Sequence, residues 1–334
     1  MPQARSLARL AALVTAVLGL QGCHGTSPTN PVTPRRASAG TSSTSSSTPA
    51  TLQFRRAPFH LPSAIQRDVG VAEGGTIYLV GGLNGADASV ATVDKVDPGR
   101  GLVEVIGQMP HPFHDGAGAW IGARLFVFGG GTGTGSVVVQ SFSPSSGRAE
   151  VEGSLPRALS DLSTAVLGSV TYLIGGYDGV APQRIIYATS DGRHLHRAGL
   201  LPVGLRYAAA AAVGSTVVIV GGETTRGPSA GILAFDPSTG TVATVGHLPY
   251  GVGHASAFAA GGVVYVVGGV DASGRTLRAI AAVDTGSGRV RAAGSLPAPL
   301  SDAAAVVVGD QAWLFGGLRE VPVSQILVAS IAPR

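Results

Sequence analysis

The side chains of this 334-residue sequence that could do chemistry fall into one patterned set. Arg67, Asp115, Asp161, Tyr207, His254 and Asp302 each stand five residues after a proline: Pro62, Pro110, Pro156, Pro202, Pro249 and Pro297. Immediately before them come Gln66, His114, Ser160, Arg206, Gly253 and Ser301. A third set follows six glycine pairs: Asn84, Thr132, Tyr177 with Asp178, Glu223, Asp271, and Arg319 with Glu320. Guanidinium, carboxylate and imidazole groups of mixed sign suit hydrogen-bonded recognition of a polar ligand. A carboxylate near an imidazole also suits general acid–base work, with Glu223 beside Arg206 or His254 as the candidate set. His194-Leu195-His196 places two imidazoles on one face of a strand, but without a third ligand the pair is read as solvent-facing. No phosphate-binding loop, zinc-protease motif or nucleophile elbow accompanies these residues, so no catalytic residue, metal or cofactor is assigned.

What must position these residues is a sixfold repeat. Glycine pairs begin at 81, 129, 175, 221, 268 and 316, and from each Leu-Pro or Met-Pro proline to the next pair is 19 residues every time. Within each repeat a run of small apolar residues (Tyr207 to Val213, Asp302 to Val308) leads to a second run that ends at the glycines, such as Ile77-Tyr78-Leu79-Val80. A third run ends at an Asp-led turn (Asp97-Pro98-Gly99, Asp284-Thr285-Gly286), and a fourth returns to the next Leu-Pro. Continuous rather than alternating apolar runs mean strands covered on both faces. Six four-stranded units at this period predict an all-β, six-bladed propeller over 51–334, with the Ala- and Gly-rich strand nearest the axis. An outer-membrane barrel would need alternating ten-residue strands, and these runs do not alternate.

An apolar strand with Tyr, then Gly-Gly, then an Asp-Pro-type turn resembles the Kelch repeat. The resemblance covers about 85% of the chain, from 51 to 334. The tryptophan expected before the fourth-strand proline is absent (Val290-Arg291-Ala292-Ala293-Gly294-Ser295-Leu296-Pro297), and the arginine after it survives only as Arg157. The resemblance implies a ligand at the axial mouth, where Arg67, His114, Asp115, Asp161, Arg206, Tyr207, His254, Asp302, Tyr177 and Glu223 would converge; a protein or a cell-envelope glycan is the expected partner. Some Kelch-like propellers are copper radical oxidases with a Tyr–Cys cross-link. His114, His254 and Tyr207 are of the right types to meet a copper ion, but the sole cysteine, Cys23, lies outside the repeats, which excludes that chemistry. Others are exported sugar epimerases, and a sugar epimerase or mutarotase is the alternative to a binding or scaffolding module.

The last repeat lacks a fourth strand, while Thr51-Leu52-Gln53-Phe54-Arg55-Arg56 precedes the first Leu-Pro. This N-terminal strand is therefore expected to complete the sixth blade and remove an exposed edge.

Ahead of it, Arg5 and Arg9 precede the apolar run Leu10 to Leu20, too short to span a bilayer and shaped like a secretory h-region. Its end, Leu20-Gln21-Gly22-Cys23, resembles the lipobox of bacterial lipoproteins, although Gln21 stands where a small residue is commoner. The resemblance implies a signal peptide at 1–23, acylation of Cys23 and an exported protein anchored to the bacterial membrane. Residues 24–50, rich in Ser, Thr and Pro, read as a disordered tether reaching roughly 30 Å. With one cysteine no intramolecular disulfide forms. All six basic residues before position 61 lie there without an acid, leaving 17 basic against 19 acidic groups beyond it. That balance, with no basic cluster in the repeats, excludes nucleic acid as a partner.

Overall fold

The computed structural model describes residues 50–132 and 135–331; the expected leader and nearly all of the tether, 1–49, lie outside the described residues. The described chain is a six-bladed β-propeller: six antiparallel four-stranded sheets set in a ring. Blade 1 runs Val69–Glu73, Thr76–Val80, Val90–Asp97 and Leu102–Phe113 from the axis outward. Blades 2 to 5 repeat that order from Ala117–Ile121, Ser163–Leu167, Ala209–Val213 and Ser256–Ala260. Blade 6 comprises Ala304–Val308, Gln311–Phe315, Ile326–Ser330 and, as its outer strand, Arg55–Arg56, in register with Val328 and Leu327. The N-terminal closure expected from the missing strand is thus present.

Burial explains the apolar runs. Blades pack face to face, and one hydrophobic cluster fills each of the six interfaces. The second strands are the most deeply covered; in Thr76–Val80 every residue after the first is buried. First strands must be thin, because they crowd together round the axis. A side chain at Gly118 would collide with Val69 of the preceding blade. At the doublet after each second strand both glycines are left-handed, φ 64° and 104° at Gly81 and Gly82, which L side chains rarely adopt. The Asp-led turns work as expected: the Asp97, Asp236 and Asp284 carboxylates accept backbone N–H groups of the residues that follow.

At the closing seam Leu52 and Phe54 are buried, and Phe54 meets Phe258 of blade 5 edge-on at 6.5 Å. The loops after the glycine doublets extend to nine residues (270–278). Some pair with the segment ahead of the same repeat's first strand, as Val270–Asp271 does with Val252–Gly253 and Leu83–Asn84 with Ile65–Gln66, which extends the rim without adding a lid.

One buried group departs from the repeat. Six residues after each proline stand Gly116, Leu162, Ala208, Ala255 and Ala303, but blade 1 has Asp68. Both of its carboxylate oxygens are buried with no hydrogen-bond partner from another residue. Burial pushes its pKa up to about 7, and the Asp94 carboxyl adds to the rise. A carboxyl whose folded pKa exceeds its unfolded value supports stability fully only below about pH 4 and loses that support as pH climbs to 7. Asp68→Ala should therefore leave the melting temperature at pH 4 nearly unchanged and raise it at pH 8, by an energy on the order of a few kcal/mol. Calorimetric melts at the two pH values check this; a variant that melts lower at pH 8 would show that the carboxylate is compensated.

Candidate functional site

The six residues found five positions after each proline form a closed backbone ring round the axis. Each donates its N–H to the carbonyl of its counterpart in the preceding blade: Arg67 to Asp302, Asp115 to Arg67, Asp161 to Asp115, Tyr207 to Asp161, His254 to Tyr207, Asp302 to His254, at 2.9–3.1 Å. All six have left-handed backbones, φ 50–58°. Such angles are uncommon for residues with a Cβ and cost roughly 1–2 kcal/mol each. Glycine would relieve that strain, yet not one of the six is glycine.

A second layer is tied to the ring through the chain. The residue preceding each ring position bridges, backbone to backbone, with one just past its own blade's glycine doublet: Arg206 with Glu223, His114 with Gly131, Ser160 with Tyr177, Ser301 with Leu318. Two sets far apart in sequence are therefore one structural layer, and the residues expected at the mouth do meet there.

Their side chains interlock. Arg67 spans Asp115 (3.2 Å) and Asp302 (3.5 Å). Arg206 pairs with Asp161 at 2.9 Å and approaches Glu223 at 3.9 Å. Its guanidinium lies between the rings of Tyr177 and Tyr207, 4.5 Å from each centroid, and Tyr207 in turn stacks on His254 at 3.8 Å. The Tyr207 hydroxyl points to Asp115 at 3.4 Å. His254 contacts Asp302 through Nδ1 at 2.6 Å and Glu223 through Nε2 at 3.4 Å. His114 sits 3.6 Å from Asp115.

These contacts set the charges. Burial opposes protonation of His254, but the hydrogen bonds to Asp302 and Glu223 outweigh it and raise its pKa to about 9, so it is an imidazolium at neutral pH. Glu223 is held below the usual carboxylate range, first by its hydrogen bond to His254. Asp302 is also held low, His254 and Arg67 overcoming its burial. Asp115 moves the other way, up to about 7: burial drives it, Arg67 pulls back, and Asp161 and Asp302 add to the rise. Burial likewise raises Asp161 against the pull of Arg206, and raises the Tyr207 hydroxyl. Among the ring and second-layer groups, His114 alone of the imidazoles is lowered, by burial and then by Arg67.

The ring encloses an axial cavity of about 140 Å³. Below it the channel continues as a space of about 170 Å³ lined by small residues of the first strands, among them Gly118, Ala209 and Ala257. Chemically the cavity wall is a dense set of charge-assisted donors and acceptors, able to bind a hydroxyl-rich group from several sides at once.

Other residues anticipated at the rim serve their own loops. Asn84 accepts the N–H groups of Ala86 and Ala88, Asp271 those of Ser273 and Arg275, and Asp178 those of Val180 and Ala181. Thr132 is exposed, and Arg319 with Glu320 line a cavity away from the axis. His194 is fully in solvent beside Asp191, as read from the sequence. Sequence reasoning missed Ser89, whose hydroxyl lies 2.7 Å from His114 Nδ1 across the blade 1–blade 2 boundary. No repeat marker points to it, because it comes from a loop of variable length.

The class defined here is a six-bladed β-propeller with a charged, hydrogen-bonded axial ring. No protein-family model matches the chain, and no curated protein matches it.

Replacing Asp302 with Asn removes the negative partner of His254 while keeping a hydrogen-bonding side chain. The His254 pKa should fall from about 9 by more than one unit, read from the imidazole proton in an NMR titration. A titration that stays near 9 would mean that Glu223 alone holds the proton.

Proposed function

We propose that this protein is an exported, lipid-anchored propeller of the Kelch type that acts as a binding or scaffolding module, taking a protein loop or a cell-envelope glycan at its axial ring. One observation carries the reading. All six ring positions hold strained left-handed residues where glycine would fit better, and all six side chains are polar. Strain kept at equivalent points of six repeats is best explained by what those side chains touch. The ring cavity has the size of a single sugar unit or one protruding side chain. Tyr177, half-exposed on the outer side of the Arg206 stack, offers a flat face for a sugar ring. The Gly-Gly doublets and Asp-led turns support the Kelch assignment, and Leu20-Gln21-Gly22-Cys23 supports the anchor.

A second reading, a sugar epimerase or mutarotase, is favoured by the Glu223–His254–Asp302 chain, in which a proton could pass between rim and ring. Binding and turnover are separated by screening glycans and envelope proteins with the wild type and with Asp115→Ala, Arg206→Ala and His254→Ala. The module reading expects a ligand whose affinity falls at least about tenfold in these variants, with no chemical change in it. Catalysed anomeric exchange or epimerisation of a free sugar, followed by NMR, would replace that reading with the enzyme. Ligand binding indifferent to all three substitutions would remove the axial ring from the function.

For the anchor, Cys23→Ala should shift the protein from the membrane fraction to the medium or periplasm and abolish incorporation of labelled palmitate. Unchanged membrane association would refute acylation.

A further inference from the structure

A second concavity lies on the seam where the N-terminal strand closes blade 6, and its origin is a local break in the repeat. In blade 1, Val93 pairs with Gly107, two residues before Met109; in blade 5, Ile280 pairs with Gly294, two residues before Leu296. The corresponding residue of blade 6 is Ile326, opposite Phe315 as Val93 is opposite Val80. Its carbonyl accepts the N–H of Ala57, four residues before Leu61. The outer strand of blade 6 thus carries two extra residues, and the chain bows outward at Pro58, Phe59 and His60 before Leu61 rejoins Ser324. Phe59 is pinned inward, 6.1 Å from the Trp313 ring.

The bow encloses a groove of about 510 Å³. Arg56, His60 and Arg319 line it, with the side chains of Ser324 and Gln325, and Phe59 contributes to its apolar wall. No aspartate or glutamate lines it, in a chain whose repeats carry more acids than bases. Among the described residues neither Arg56 nor Arg319 pairs with a carboxylate, and, unlike other unpaired arginines such as the exposed Arg289, these two line one concavity. His60 donates Nδ1–H to Leu61 O at 3.0 Å, which orients the imidazole and leaves Nε2 free. Among the described residues the groove thus gathers two guanidinium groups and an imidazole beside an apolar wall, with no carboxylate in its lining.

We infer that this groove binds an organic anion, a phosphate ester or carboxylate joined to a flat or short apolar body. The anionic group would lie between Arg56 and Arg319, whose guanidinium groups match its oxygens in pairs, and the apolar body would lie along Phe59. Glu320 lines the adjoining cavity with Arg319 and is absent from the lining of this groove. The same chemistry is presented by a soluble phosphate ester and by an anionic lipid headgroup.

The test uses the full chain, produced without export so that Cys23 carries no lipid. Phenyl phosphate and its uncharged counterpart benzyl alcohol are compared by saturation-transfer NMR. Co-sedimentation is measured with vesicles of phosphatidylcholine, alone or mixed with phosphatidylglycerol. Arg56→Ser, Arg319→Ser and the double variant are set against Arg289→Ser, an exposed arginine on blade 5. Phenyl phosphate binding that weakens about tenfold in the double variant, survives in Arg289→Ser and is absent for benzyl alcohol supports a soluble ligand. Sedimentation only with phosphatidylglycerol and only with both arginines present supports a headgroup. Equal binding of benzyl alcohol, equal effects of all three single substitutions, or no response in either arm overturns the proposal. Thermal melts of the variants, expected to match the wild type because neither side chain is paired, keep misfolding from imitating loss of binding.

Discussion

Everything about this propeller is organised by six N–H···O=C hydrogen bonds that run head to tail round the axis. A ring of this kind closes only if each blade presents one donor and one acceptor at the same height and the same angle. That requirement fixes the left-handed backbone at Arg67, Asp115, Asp161, Tyr207, His254 and Asp302. It also fixes the start of each first strand, because the chain leaves the ring and turns at once along the axis. Only thin strands can then lie side by side, which is why Ala and Gly dominate there. Packing bulk is displaced outward to the second and third strands, where Phe128, Phe142, Phe235 and Phe315 are wholly buried.

The polar side chains at the ring bring a second constraint. Taking charges out of water is expensive, and a buried ion pair repays that expense only with good geometry and additional hydrogen bonds. The ring meets the condition by sharing. Asp302 serves His254, Arg67 and the Ser301 hydroxyl; Asp161 serves Arg206 while Tyr207 reaches toward the neighbouring Asp115. At Asp115 burial and the nearby Asp161 and Asp302 carboxylates outweigh the pull of Arg67, which raises its pKa to about 7. The loss of any one charge would therefore be felt by several partners, and neighbouring substitutions should not act additively.

Much of this was legible before any coordinates. The constant 19-residue spacing from proline to glycine pair located the blades, and the absent last strand located the closure at Thr51 to Arg56. The same spacing identified the ring residues, because a fixed distance from a fixed landmark in a rotationally repeated structure lands on one circle. Conformation at those points was not legible: nothing in the types Arg, Tyr or His announces a positive φ, since the angle is imposed by the ring bonds and not by local preference. Ser89 was invisible because its loop has no constant length, and Asp68 because a lone acid in a small-residue run reads as a solvated strand end.

Departures from the repeat concentrate between blades 6 and 1, and covalent connectivity explains it. At three of the other boundaries one continuous strand (Leu102–Phe113, Arg148–Leu159, His196–Leu205) carries the chain from outer edge towards the next ring residue, and at the remaining two a short connection follows His247 or Ser295. At the seam the outer strand arrives from elsewhere in the sequence and is held by two paired residues, the burial of Leu52 and Phe54, the bonds of Ala50 and Leu52 to blade 5, and the backbone contacts of Ala57 and Leu61. Extra residues there bow outward and leave the ring bond between Arg67 and Asp302 intact at 2.9 Å. A propeller closed in this way has one interface where new surface can be built without disturbing sixfold order, and Arg56 and Arg319 stand on that surface.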